Sequence, residues 1–91
     1  MSEFSNGIRT IRKAIEAELK AEGVRYTALS DNVRGSAPND TDFSVAAFDR
    51  THTVTFNRQE IEDSERALDS FAHTKIRMLV SHFTIERDNR R

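Results

Sequence analysis

The chain has no cysteine, no tryptophan, a single proline and three glycines in 91 residues. The lack of cysteine excludes disulfides and thiolate metal sites. Stability must therefore come from packing, and with no tryptophan the six phenylalanines supply most of the bulky core material. No run approaches the roughly 18 apolar residues of a membrane-spanning helix. The opening Met1–Gly7 is short and polar, without the apolar stretch of a secretory signal, so the expectation is a cytoplasmic protein without membrane association. At this length one domain over 1–91 is expected, with 1–6 and 86–91 frayed. The net charge of −1 combines an acidic segment over 58–72 with a basic one over 73–91, the pattern of a mixed, solvated surface.

What is present is pattern. Ile8, Ile11, Ile15 and Leu19 fall on one helical face, with Phe4 upstream, which predicts a helix over 7–22. Ser5 or Asn6 would cap its start, and Gly23 would end it in the left-handed conformation. Glu16 and Lys20 stand at pairing distance on that helix. Val24–Leu29 then reads as a strand with Val24, Tyr26 and Ala28 inward. Ser30–Asp42 has no periodicity and reads as a loop.

The clearest signal is the alternation of Phe43, Val45 and Ala47, answered by His52, Val54 and Phe56. Placing Ala47 opposite His52, Val45 opposite Val54 and Phe43 opposite Phe56 gathers these side chains on one face. This arrangement implies a four-residue loop, Phe48–Thr51, because Asp49-Arg50 lacks the Asn-Gly or Asp-Gly of a tight hairpin. Asn57 and Glu60 have the spacing of a capping box. Beyond them Ile61, Ser64, Leu68, Ala72, Ile76, Leu79 and Phe83 trace one stripe, with Phe71 beside it. One helix over 58–83 would be about 39 Å long, against strands of roughly 17–20 Å. It must therefore bend near His73-Thr74 or pack its end on another copy. Lys75–Phe83 as a fourth strand is the other option, since Ile76, Met78 and Val80 alternate. The fold class expected is α+β: a three-stranded antiparallel sheet with two helices packed on one face, in the order α-β-β-β-α.

Little in the chain points to chemistry. The histidines (His52, His73, His82) lack the spacing of a metal motif. His52 lies among apolar hairpin partners, His73 follows Asp69 by four, and His82 lies near a helix end. Asp40-Thr41-Asp42 lacks the glycine and terminal glutamate of a calcium loop, and Glu60, Glu62 and Asp63 complement a helix dipole without any ligand. No phosphate-binding glycine motif or nucleophile elbow occurs. No catalytic residue, metal site or cofactor is expected.

The element order resembles that of the double-stranded-RNA-binding domain. That resemblance implies phosphate contacts from a lysine-rich start of the last helix, where this chain has Arg58-Gln59-Glu60-Ile61-Glu62-Asp63. Ser36-Ala37-Pro38-Asn39 likewise departs from the family's Gly-Pro-x-His loop. Three acids at the phosphate position would repel a duplex. A nucleic-acid-binding domain is thus the alternative reading, carried by Arg9, Arg12, Lys13, Arg87, Arg90 and Arg91. The leading expectation is a non-catalytic interaction or regulatory module. It would contact a protein partner or a second copy of itself through Ile76, Met78, Leu79 and Phe83 on the C-terminal helix, a stripe longer than a small sheet can cover.

Overall fold

The computed structural model describes residues 3–33, 39–65 and 67–89. The elements are α1 (Glu3–Ala21), β1 (Ala28–Val33), β2 (Asp40–Ala47), β3 (Arg50–Asn57), α2 (Arg58–Asp63) and α3 (Ser70–Asn89). The strands form one antiparallel sheet in the order β1-β2-β3. Helices cover one face of it, so the fold is α+β.

Helix α1 buries Ile11, Ile15 and Leu19 completely. It ends at Gly23, whose φ is 69°. The Gly23 N–H donates to Lys20 O and the Val24 N–H to Leu19 O, the paired bonds that close a helix through a left-handed glycine. Val24 packs under this turn, 4 % exposed. The start differs from expectation: Ser5 and Asn6 lie inside the helix, and Asn6 Nδ2 donates to Glu65 Oε1 at 3.2 Å. Glu16 pairs with Arg12, at 3.6 Å.

Strand β1 begins four residues later than the alternation of Val24–Leu29 suggests. Tyr26 and Ala28 are exposed, and the strand occupies part of the stretch expected to be loop. The physical reason is Arg12, which donates to Asp31 Oδ1 at 2.9 Å and to the Leu29 carbonyl at 3.0 Å. This bridge makes an aspartate tolerable on the helix-covered side of an edge strand. Ser36-Ala37-Pro38 of the family comparison lies outside the described residues.

The inward set of the hairpin is as expected: Phe43 and Phe56 are fully buried, and their rings meet edge to face at 5.7 Å. The register is two residues away from the expected one. Val45 faces His52, Phe43 faces Val54, and Thr41 faces Phe56. A shift of two preserves which side each residue faces, so the core survives while the loop shortens to Phe48-Asp49. Both loop residues take positive φ, 54° and 64°, the conformation of a type I′ turn. Phe48 is partly buried and packs against the core cluster. That face carries hydroxyls, with Ser44 and Thr53 at 2.9 Å and Thr55 bonded to Asp42 at 2.7 Å.

The capping box forms at α2: Glu60 N–H donates to Asn57 Oδ1 at 2.8 Å, and Asn57 N–H to Glu60 Oε1 at 2.9 Å. The long helix does not follow. Helix α2 ends at Asp63, earlier than His73-Thr74, and the chain resumes at Ser70 as helix rather than strand. Ser64 turns its hydroxyl back to Glu60 O, and Thr10 of α1 donates to Glu65 O. Asp69 then caps α3 through the Ala72 N–H at 2.8 Å, so its carboxylate serves the backbone rather than His73. The helix runs on through Glu86 to Asn89, a stretch expected to fray. Arg87 anchors this end by donating to the Glu22 carbonyl.

Candidate interaction surface

Two basic side chains guard the two edges of the sheet. The two-residue loop makes Ala47 and Arg50 the closing hydrogen-bonded pair. Alternation then directs the main-chain groups of Thr51, Thr53 and Thr55 away from β2. Lys75 Nζ, from α3, donates to the Thr55 carbonyl at 2.9 Å and to Glu60 Oε1 at 3.0 Å. Its ammonium also lies over the rings of Phe56 and Phe71, 4.8 and 5.3 Å from their centroids. Arg12 does the equivalent at β1, on the Leu29 carbonyl. Cations at strand edges discourage indiscriminate pairing. Among the described residues no strand pairs with the outer edge of β3.

Further along the same border His52 Nε2 and Glu86 Oε1 are 2.7 Å apart. His52 also stacks on His82, centroids 4.7 Å apart, and meets Phe83 edge-on at 4.8 Å. These contacts dock the C-terminal half of α3 onto β3. Between the two elements a groove of about 280 Å³ is lined by Thr53, Val54, Thr55, Lys75, Met78, Leu79 and His82.

Of the four residues expected to meet a partner, Ile76, Leu79 and Phe83 are buried in the chain's own core at 2, 3 and 0 % exposure, while Met78 is 61 % exposed. The helix break makes the difference: α3 turns so that the stripe running to Phe83 closes over this sheet. A second apolar row remains outside, formed by Phe71, Met78 and Ile85, which are 63, 61 and 57 % exposed. Seven residues return a helix to within about 20° of the same direction, so the row follows one line. Phe71 was placed only beside the stripe and Ile85 was not singled out, because the 3.6-residue stripe already accounted for this helix. Their seven-residue spacing around Met78 was the available signal. Helix α3 is thus apolar on two faces, one in the core and one exposed. Between Ser70 and Ile85 the chain carries only Lys75 and Arg77 as formal charges, and Glu60 neutralises the first.

The basic residues of the alternative reading are dispersed. Arg12 is held by Asp31 and Glu16, and Arg87 by the Glu22 carbonyl and Asp88. Arg9 and Lys13 are exposed on α1. Arg90 and Arg91 lie outside the described residues. Among the described residues no three His, Asp or Glu side chains are grouped to hold a metal ion, and no helix is long and apolar enough to cross a membrane.

No family model, curated protein or solved structure matches the chain.

Proposed function

We propose that the protein is a non-catalytic interaction or regulatory module of the cytoplasm, and that its contact surface is the outer face of α3. The observation that carries this reading is the exposed row Phe71, Met78 and Ile85. Depletion of charge together with exposed aromatic and methionine side chains marks the centre of protein interfaces. The chain as a whole has a different character, since 32 % of its residues are charged. The contact is with a protein partner or with a second copy of the chain.

A photo-cross-linking residue placed at Met78 in the full chain tests this in cells. The expected result is a discrete adduct at Met78, absent when the same residue replaces Lys13 on α1. Equal, diffuse labelling at the two positions would overturn the reading.

A further inference from the structure

Two features lie side by side on which, among the described residues, no further strand or helix packs, and one symmetry operation would cover both. The first is the outer edge of β3, where the main-chain N–H and C=O groups of Thr51 and Thr53 point away from β2. The second is the row Phe71, Met78 and Ile85. The groove lined by Thr53, Thr55, Met78 and His82 joins them. Resting on the reading of α3 as a contact surface, we propose that its occupant is a second copy. In this dimer β3 pairs antiparallel with β3 of the second copy, the two sheets become one of six strands, and the two α3 helices close against each other beside it.

The geometry is self-consistent about a single twofold axis. An isologous antiparallel contact pairs a patch with itself. With the axis at Thr53, Thr53 opposes Thr53 and Thr51 opposes Thr55 of the second copy. The Thr55 carbonyl already accepts from Lys75 and would take the Thr51 N–H on its second lone pair. Threonine pairs of this kind are favourable across strands. On the helix side His52 opposes Val54. No two like charges face each other along the strands. The groove places Met78 level with Thr53–Thr55, so the same axis sets Met78 against Met78. The seven-residue spacing on either side then sets Phe71 against Ile85. The charge pattern agrees: the groove lining has no carboxylate and one lysine, already paired with Glu60 at 2.9 Å. Both edges carry one basic side chain, Arg12 at β1 and Lys75 at β3, but among the described residues no row of exposed large apolar side chains borders β1.

The chain's lack of cysteine makes the test specific. Wild-type protein in light scattering at ~100 μM, a level that populates even weak dimers, should show twice the monomer mass of 10.4 kDa. Thr53→Pro removes an outward N–H without touching the ladder to β2. Met78→Glu places charge in the apolar row. Each should weaken dimerisation at least ~10-fold while far-ultraviolet circular dichroism stays that of the wild type; the second variant covers the case where the first does not fold. Thr53→Cys should oxidise to a disulfide-linked dimer, and Ser30→Cys on β1 should not. A monomeric wild type would overturn the inference, as would a dimer indifferent to both substitutions or equal cross-linking at positions 30 and 53. A monomeric chain that still gives a discrete Met78 adduct with another protein would remove the second copy and leave the contact surface standing.

Discussion

Lys75 reaches across from α3 and donates to the Thr55 carbonyl at 2.9 Å, joining the last helix to the outermost strand. The same ammonium bonds Glu60, whose carboxylate also closes the capping box of α2. One side chain thus ties together α3, β3 and the start of α2. Lys75 and Glu60 are each about a quarter exposed or less. Removing the charge while keeping the stem, as in Lys75→Met, is expected to cost about 1–2 kcal/mol, the worth of charge-assisted hydrogen bonds partly shielded from water. A urea-unfolding cycle with Glu60→Gln should show the two substitutions to be non-additive by at least ~0.5 kcal/mol. Strict additivity would mean that the bridge contributes nothing.

Gly7 marks where α1 and α2 touch. A Cβ at this position would lie 1.8 Å from the Ile61 carbonyl oxygen, and backbone cannot yield as a side-chain tip does. Helix propensity alone would make Gly7→Ala stabilising by up to about 1 kcal/mol. The clash reverses the sign, and a loss of roughly 2–3 kcal/mol or more is expected from forced overpacking. Chemical denaturation decides between the two signs.

How far the residues foretold this fold depended on whether the deciding partner was near in sequence. The row Ile11, Ile15 and Leu19, the Gly23 stop and the Asn57–Glu60 box are local, and each formed as its spacing implies. The sidedness of the hairpin was equally legible, because alternation fixes it. Its register was not, since Phe48-Asp49 adopts a turn normally announced by glycine or asparagine. Gly7 needed Ile61 in space, and β1 needed Arg12 to hold Asp31. The break between Asp63 and Ser70 depended on Thr10 and Asn6 gripping Glu65. That break also decided which apolar side chains face outward: it turned Ile76, Leu79 and Phe83 inward and left Met78 outside with Phe71 and Ile85.

Thr41 occupies a core position that the register assigns to it, opposite Phe56. It is fully buried, and its hydroxyl has no hydrogen-bond partner among the described residues. A buried hydroxyl without a partner carries a desolvation penalty of about 1–3 kcal/mol. Valine has the same shape and suits a strand, so Thr41→Val should stabilise the protein by ~1 kcal/mol. For a domain of this size that raises the melting temperature by roughly 4–8 °C. A lower melting temperature would show that the hydroxyl has a partner after all.

Asp49 completes the tight turn with a φ of 64°. An L-residue there opposes its own Cβ, whereas glycine adopts the conformation freely. Asp49 is exposed, and exchanging its side chain removes no packing. Asp49→Gly should therefore stabilise the hairpin, by about 0.5–1 kcal/mol after allowing for the greater freedom glycine gives the unfolded chain. The same change at Phe48 should fail, despite its similar φ of 54°, because Phe48 packs against the core. Burial of a phenylalanine outweighs one unfavourable dihedral, so Phe48→Gly is expected to lower stability by ~1–2 kcal/mol. Thermal unfolding of the pair measures both signs together. If both variants melted higher than wild type, Phe48 would contribute only its turn geometry.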